Sequence, residues 1–109
     1  MTRGDICWCD LPEEGRRPVL VLTRATAIPI LQRVLVVPLT TTIRGLPTEV
    51  PLGEEDGLPA ECVASFDNVG QVTRALLSEP ITSLAGKRMN EVCRALAIAT
   101  GCDLRASRA

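Results

Sequence analysis

Apolar residues form short extended segments through most of the chain, and a helical repeat appears only near its end. Two nearly continuous apolar segments, Pro18–Thr23 and Arg33–Leu39, have the composition of strands that are buried on both faces. Three shorter segments are predicted as further strands: Asp5–Asp10, Thr48–Leu52 and Cys62–Phe66. The last of these is predicted to continue through Val69–Val72 after a turn, and a brief extended segment follows at Glu79–Ile81. The chain is therefore expected to be mainly β.

The helical repeat covers Leu84–Thr100, with Ser83 as the N-cap and Gly101 at the position that ends many helices. Its apolar stripe is predicted to face the core and consists of Met89, Val92, Cys93, Leu96 and Thr100. Arg88 and Arg94 are expected on the solvated side. Short strands closed by one amphipathic helix predict a small curled sheet or barrel with a C-terminal helix as its cap.

The composition is that of an ordinary globular protein, with 46% hydrophobic and 23% charged residues, and 109 residues favour a single domain over 1–109. A formal net charge of −1 argues against a protein that coats nucleic acid through bulk basicity. The chain has no histidine, which excludes imidazole as a base, an acid or a metal ligand. Aromatic residues make up 2%, too few for a base-stacking platform. The acidic stretch Glu54–Asp56 is expected to be a solvated loop.

No segment has the length of a membrane span, and the N-terminal residues lack the apolar region of a signal peptide. A cytoplasmic protein without membrane contact is therefore predicted. Cys7 and Cys9 would share one face of a strand and could supply two thiolates to zinc. Burial as small hydrophobic residues is the favoured interpretation, so no metal and no cofactor are expected.

Two arginines and a threonine stand at neighbouring ends of the two apolar strands. Arg16 and Arg17 come directly before Pro18, and Thr40 follows the second strand. If these strands are antiparallel neighbours, Arg17 and Thr40 face one another at one rim of the sheet. A guanidinium binds two phosphate oxygens, and a threonine hydroxyl can donate to a third. The pair fits a phosphate, although an arginine at a strand start and a threonine-rich turn also occur without any function.

Further polar residues follow the second apolar strand and the strand Cys62–Phe66. Thr41 and Arg44 follow in the loop after the second apolar strand, and Asp67 with Asn68 ends the strand Cys62–Phe66. Asp67 could act as a base or orient Arg17, but an Asp–Asn pair is also a common turn. The residues alone leave both interpretations open.

Several segments, in chain order, resemble the MazF/PemK/Kid toxins of bacterial toxin–antitoxin modules. They are RGDI (Arg3–Ile6), GRRPVLVLT (Gly15–Thr23), VVPLTTT (Val36–Thr42), GLPTEVPL (Gly45–Leu52), the DN step at Asp67–Asn68 and MNEVCRAL (Met89–Leu96). The resemblance covers nearly the whole chain, and the arginine-rich composition is similar to the actinobacterial members. It implies an SH3-like barrel of the CcdB/PemK type that forms a homodimer.

The resemblance also implies a metal-independent, sequence-specific endoribonuclease that cleaves single-stranded RNA, inhibits translation and binds a cognate MazE-like antitoxin. The catalytic pair of the family corresponds to Arg17 and Thr40, and an aspartate implicated in some members corresponds to Asp67. The implied reaction is attack of the ribose 2′-hydroxyl on the adjacent phosphate, which yields a 2′,3′-cyclic phosphate and a 5′-hydroxyl end. Contacts with RNA are predicted for Arg16, Thr41, Arg44 and Asn68.

The chain departs from the family pattern in two places. The segment Leu11–Arg17 lacks the longer GSEQ-like loop of many members, so Glu13 and Glu14 receive no role, and Asn68 replaces the usual glutamine. Two other functions remain as alternatives. One is a gyrase-poisoning CcdB-like toxin, which the C-terminal sequence CDLRASRA disfavours because it has no tryptophan. The other is a catalytically silent binding module of the same fold.

Overall fold

A computed structural model describes residues 1–102, in which seven antiparallel strands precede one C-terminal helix. The strands are β1 (Asp5–Leu11), β2 (Gly15–Val21), β3 (Arg33–Thr40), β4 (Glu49–Leu52), β5 (Cys62–Ser65), β6 (Gly70–Thr73) and β7 (Leu77–Ser83), and the helix is α1 (Gly86–Thr100). Single 3-10 turns lie at Ile28–Ile30, Glu54–Asp56, Phe66–Asn68 and Arg74–Leu76. The predicted mainly β fold with a C-terminal helix is confirmed. Most of the C-terminal sequence that disfavours the gyrase alternative, residues 103–109, lies outside the described residues.

Strand β3 occupies the centre of the sheet, whose order is β4-β5-β3-β2-β1-β7, with β6 also paired to β3. The beginning of β3 pairs with β6 and its end pairs with β5. Leu39 lies opposite Ala64 of β5, and Val36 lies opposite Gly70 of β6. The turn Phe66–Asn68, which joins β5 to β6, therefore lies beside the second half of β3. This arrangement carries the polar residues of the turn to the same part of the sheet as Thr40.

The sheet has apolar residues on both faces, and each face contributes to a separate buried cluster. One cluster contains Leu20, Val37 and Phe66 together with residues of α1, and the other contains Val19, Val21, Val34 and Val36 with both N-terminal cysteines. Alternate residues of β2 and β3 thus enter different clusters, which explains why the sequence shows two nearly continuous apolar segments.

The burial of the N-terminal cysteines as small hydrophobic residues is confirmed. Cys7 and Cys9 are 0% exposed, and both pack in the second cluster beside Val19 and Val21. Burial raises the pKa of both thiols, and nearby carboxylates raise it further. The protonated thiol is therefore the favoured form of each, whereas zinc binds the thiolate.

The N-terminal boundary of the helix was predicted wrongly. The helix begins at Gly86 rather than Leu84, and its N-cap is Ala85, which forms no side-chain cap. Ser83 belongs to β7 and donates a hydrogen bond to the buried carboxylate of Asp5. The carboxylate of β1 thus competes successfully for the hydroxyl that would otherwise cap the helix. None of the described helices is long and apolar enough to cross a membrane.

The predicted C-terminal end of the helix is confirmed, and its core-facing stripe is confirmed in part. Gly101 has a φ of 72° and donates its N–H to the carbonyl groups of the last turn. Val92 is 1% exposed, and Met89 and Leu96 pack against the core. Cys93 is exposed, and its Sγ accepts a hydrogen bond from Arg3. The other buried residue of the helix is Ala95, which is 3% exposed. Thr100, like Cys93, is exposed.

The predictions that Arg88 is solvated and that Glu54–Asp56 is a solvated loop are wrong in part. The Arg88 Nε lies 2.9 Å from Asp56 Oδ1, and the Asp56 side chain is only 6% exposed. Arg88 Nη1 also lies 2.8 Å from Glu91 Oε2. The acidic turn is therefore fastened to α1 by one arginine, while Glu54 and Glu55 remain exposed as expected.

Candidate functional site

A cavity of about 680 Å³ opens between the hairpin β1–β2, the middle of β3 and the turn that joins β5 to β6. Its polar lining residues are Glu14, Arg17, Thr40, Thr42, Arg44, Glu49, Ser65, Asp67, Asn68 and Gln71. Its apolar floor includes Val19, Val36, Pro38 and Leu39. The cavity combines two arginines with three carboxylates, and most of its polar residues lie on different strands or loops.

Arg17 and Thr40 meet at this cavity because of the register between β2 and β3. The two strands are antiparallel, and their last regular pair is Val19 with Pro38. Arg17 and Thr40 each lie two residues beyond this pair on their strands, and both line the cavity. The predicted antiparallel pairing of the two apolar strands is confirmed, and both residues line the same cavity. Strand β2 begins at Gly15 rather than Pro18, so Arg17 is a strand residue and not part of a loop.

The Arg17 guanidinium is exposed and forms no salt bridge with any of residues 1–102. A guanidinium stays charged at every physiological pH and offers two parallel donors to a phosphate. The carboxylates that line the same cavity are Glu14, Glu49 and Asp67. The geometry leaves Arg17 available to an anionic ligand.

A short local hydrogen bond fixes the Thr40 hydroxyl. Its Oγ1 accepts the backbone N–H of Thr42 at 3.1 Å. Because one oxygen lone pair is used in this way, the hydroxyl hydrogen can point away from the backbone and donate to a ligand. The side chain is half-buried at the end of β3, and its branched Cβ restricts its rotation.

Asp67 and Asn68 reach the cavity from the 3-10 turn after β5, and each is held by a neighbouring hydroxyl. Thr48 Oγ1 donates to Asp67 Oδ2 at 2.7 Å, and Asn68 Nδ2 donates to Ser65 Oγ at 2.9 Å. Thr48 is 9% exposed, so this donor comes from a fixed position. Asp67 Oδ1 takes part in no hydrogen bond among residues 1–102 and can therefore accept a proton from a ligand.

Arg44 lines the cavity from the loop between β3 and β4. Its backbone N–H donates to Glu49 Oε1 at 3.0 Å, and the backbone N–H of Leu46 donates to the same oxygen at 3.2 Å. Neither Thr48 nor Glu49 was identified as a site residue from the sequence. Their signal is the segment GLPTEVPL, in which two polar residues stand at the start of a short predicted strand.

Two residues predicted to contact RNA do not line this cavity. Arg16 alternates with Arg17 along β2 and lies 3.5 Å from Asp10, with its guanidinium 5.2 Å from the centre of the Trp8 ring. Thr41 is exposed next to Thr40. The strand alternation therefore separates Arg16 from Arg17, which the loop expected before Pro18 did not anticipate.

The arrangement supplies the groups required for chemistry on a phosphodiester. Arg17 can bind the non-bridging oxygens, Thr40 can donate a hydrogen bond to them, and Asp67 can act as a base. These groups come from β2, β3 and the turn after β5, all held by the same sheet.

Residues 2–100 match the family model described as PemK-like, MazF-like toxin of type II toxin–antitoxin system. The chain belongs to the PemK/MazF toxin family. It is 46% identical over 102 residues to the probable endoribonuclease MazF5 of Mycobacterium tuberculosis, with 93% of this chain and 94% of that protein covered. It is also 42% identical over 88 residues to the endoribonuclease MazF3 of the same species, with 81% and 84% covered.

Solved structures of PemK/MazF toxins have the same fold. The Mycobacterium tuberculosis toxin MazF-mt6 superposes with a TM-score of 0.84 at 36% identity, covering 91% of this chain and 98% of that chain. A mycobacterial endoribonuclease solved in complex with its cognate antitoxin gives a TM-score of 0.83 at 30% identity, covering 94% and 97%. Because these relatives are named toxins and endoribonucleases, the comparisons support an endoribonuclease activity for this member of the PemK/MazF family.

Proposed function

We propose that this chain is a toxin that cleaves single-stranded RNA by transesterification, with Arg17, Thr40 and Asp67 as catalytic residues. The observation that carries the proposal is their convergence on one cavity from three separate elements, with Arg17 and Asp67 Oδ1 both uncommitted among residues 1–102. Membership of the PemK/MazF family supports the same activity.

In the proposed reaction the ribose 2′-oxygen attacks the adjacent phosphorus while the bond from phosphorus to the 5′-oxygen breaks. The 2′-hydroxyl proton passes to Asp67, and the departing 5′-oxygen takes a proton from Arg17, which solvent then restores. An alkoxide is a stronger base than a neutral guanidine, so this second transfer is downhill. The products are a 2′,3′-cyclic phosphate and a 5′-hydroxyl end.

Charge stabilisation is the main proposed contribution of the protein. The five-coordinate phosphorus gains negative charge on its non-bridging oxygens, which Arg17 binds and to which Thr40 donates a hydrogen bond. Because the 2′-hydroxyl is the nucleophile, no activated water is needed, and the reaction is proposed to proceed without a metal ion. Arg44 and Asn68 line the same cavity and are proposed to contact the RNA backbone.

The cellular role proposed for this activity is inhibition of translation through RNA cleavage. A cognate MazE-like antitoxin is the proposed partner, because a mycobacterial relative was solved in complex with its antitoxin. A homodimer and a cytoplasmic location are part of the same proposal, as is a single domain over residues 1–109.

The direct test is incubation of the purified protein with single-stranded RNA in the presence of EDTA. Cleavage fragments with 5′-hydroxyl ends are expected, and Arg17→Ala is expected to reduce kcat by about 10²–10³-fold, as for loss of one oxyanion donor. Thr40→Val should lose activity, whereas Thr40→Ser retains the hydroxyl and should restore much of it. Glu79→Ala, an exposed position on β7, is the matched control for a surface substitution.

Full activity of Arg17→Ala with an unchanged melting temperature would refute the assignment of the site. Intact RNA together with co-purification of DNA gyrase would favour the CcdB-like alternative instead. Intact RNA without any partner would favour a catalytically silent module. Sequencing of the 5′-hydroxyl ends then identifies the preferred RNA sequence.

A further inference from the structure

The loop between β3 and β4 forms one wall of the cavity and contributes Thr42, Arg44 and Leu46 to its lining. Residues 41–47 of this loop are exposed and contain no helix or strand. An exposed arginine in such a loop would sample many positions, and ordering it at the moment of binding costs conformational entropy. Arg44 can therefore act at the cavity at a lower entropic cost if another residue holds the loop in place.

Glu49 is the residue that holds the loop. Its Oε1 accepts the backbone N–H groups of both Arg44 and Leu46, at 3.0 and 3.2 Å. The intervening Gly45 has a φ of 70°, a left-handed conformation that turns the N–H groups on either side of it toward one point. Backbone N–H groups that converge in a turn form a concave anion site. Here the carboxylate of the same chain occupies the concavity.

The backbone of Glu49 is itself fixed, which makes it a suitable anchor. Glu49 pairs with Ser65 at the start of β4, and its N–H donates to the carbonyl group of Leu46 at 3.0 Å. The loop is thus closed by three hydrogen bonds that all converge on one residue of the sheet. The position of Arg44 is thereby coupled to the pairing of β4 with β5.

We propose that Glu49 is a positioning residue that holds the loop of Arg44 against the cavity and so preorganises a contact with the RNA backbone. The inference rests on the proposed function, since it assigns a binding role to Arg44. Glu49 acts through Arg44 and does not itself bind the phosphate, because a carboxylate beside a phosphate is repelled. What the loop requires of Glu49 is one oxygen acceptor at a fixed distance rather than its charge.

Three variants separate the acceptor from the charge. Glu49→Ala removes both, Glu49→Gln keeps the oxygen and loses the charge, and Glu49→Asp keeps the charge but withdraws the acceptor by one methylene. With an RNA that the wild type cleaves, Glu49→Ala and Glu49→Asp are expected to raise KM about fivefold to tenfold, the scale of one lost hydrogen-bonded contact. Their kcat should stay within about twofold of wild type. Glu49→Gln is expected to retain a KM near that of the wild type.

Arg44→Ala provides the second part of the experiment. It should reproduce the rise in KM and reduce the slope of log(kcat/KM) against log salt by about 0.7, the value for one phosphate contact on a single strand. If Glu49 acts through Arg44, adding Glu49→Ala to Arg44→Ala should cause no further change. Glu79→Ala, which also removes one exposed carboxylate, should leave both KM and the salt slope unchanged.

Amide hydrogen exchange of the free protein tests the loop without RNA. The N–H groups of Arg44 and Leu46 should exchange about tenfold faster in Glu49→Ala than in the wild type or in Glu49→Gln, since the acceptor that they share is lost. If Glu49→Ala proves too unstable for kinetics, Glu49→Asp can replace it, and hydrogen exchange can be measured on that variant as well.

Several results would overturn the inference. One is an unchanged KM in Glu49→Ala, and another is a full additional loss when Glu49→Ala is combined with Arg44→Ala. A change in the cleaved sequence in both Glu49→Ala and Glu49→Gln would show that Glu49 reads a base itself. A wild-type chain that neither binds nor cleaves RNA would instead refute the proposed function, and hydrogen exchange would then decide only whether Glu49 holds the loop.

Discussion

Replacement of Arg88 by methionine tests the connection between α1 and the acidic turn Glu54–Asp56. Methionine retains most of the apolar stem of arginine and removes all its donors. The substitution leaves the Asp56 carboxylate, whose side chain is 6% exposed, with the backbone N–H of Gly53 as its remaining donor at 3.0 Å. Such a group is costly because it is neither hydrated nor paired with a cation.

The expected loss can be assigned among the partners of Arg88 by their exposure. The bonds to Asp56, at 2.9 and 3.3 Å, are the part-buried ones. Glu91 is 45% exposed and Glu55 is 87% exposed at 3.9 Å, so these two should contribute less than about 0.5 kcal/mol each. Removal of a fully buried ion pair partner costs about 3–5 kcal/mol, but Arg88 is itself 26% exposed. We therefore expect a loss of about 2 kcal/mol in the free energy of unfolding.

The assay is urea or thermal unfolding of Arg88→Met, with Glu91→Ala as the control. A loss of about 2 kcal/mol corresponds to a decrease in Tm of roughly 8–16 °C for a domain near 100 residues. Glu91→Ala should change Tm by no more than about 4 °C. RNA cleavage by Arg88→Met below its melting temperature should be unchanged, because Arg88 does not line the cavity of Arg17. A loss below about 0.5 kcal/mol in Arg88→Met, or an equal loss in an Asp56→Asn background, would refute the reasoning.

The pH dependence of this contribution follows from the charge state of Arg88. Hydrogen bonds to Glu91 and Asp56 raise the pKa of Arg88 above its ordinary value. A raised pKa means that the stabilisation is complete below the ordinary value and is lost only as the pH rises through the value in the folded protein. That window lies above the range of any assay, so the difference between the wild type and Arg88→Met should not decrease between pH 7 and pH 10.

The remaining predictions concern the orientation of Asp67 and the buried cysteines. Thr48→Val removes the donor to Asp67 at nearly constant volume and should lower kcat about tenfold, because the base loses its orientation. Thr48→Ser should restore kcat, and the effect of Thr48→Val should disappear in an Asp67→Asn background. Equal kcat in Thr48→Val and the wild type would contradict this role of Thr48. Burial raises the pKa of Cys7, Cys9 and Cys62, so these thiols ionise in the unfolded chain at a lower pH than in the folded protein. Above about pH 8.5 the free energy of unfolding should therefore fall by up to about 1.4 kcal/mol per pH unit for each thiol. Native iodoacetamide labelling should reach only the exposed Cys93 and Cys102, and labelling of Cys7, Cys9 or Cys62 in the folded protein would contradict their burial.

The strands could be predicted from the sequence because their apolar residues are consecutive and their register is simple. The placement of Arg17 and Thr40 on one cavity is predictable because β2 and β3 are antiparallel neighbours. The start of the helix could not be found, since it depends on the competition between Asp5 and the helix for the hydroxyl of Ser83. Local capping preferences cannot show which distant carboxylate a hydroxyl will meet.

The same limit explains which site residues the sequence did not reveal. Arg17, Thr40 and Asp67 lie at the ends of recognisable strands, so a chemical argument about each was available before the structure. Thr48 hydrogen-bonds to a side chain 19 positions away and Glu49 to a backbone N–H 5 positions away, and neither partner is evident from a sequence pattern. Arg16 lies next to Arg17 in the sequence but does not line the cavity, because successive residues of a strand point to opposite faces of the sheet.

The net charge of −1 and the proposed RNA substrate are compatible because the cavity concentrates its charge in a few fixed groups. Arg17 and Arg44 line the cavity, whereas Arg88 and Arg16 lie outside its lining and form salt bridges with carboxylates. Two phosphate contacts give little long-range attraction, so affinity must depend on how accurately each arginine is held. The hydrogen bonds of Thr40, Thr48 and Glu49 provide that accuracy from the ends of strands. In such a site, changes that leave the core intact but loosen these hydroxyl and carboxylate contacts should reduce activity before they reduce stability.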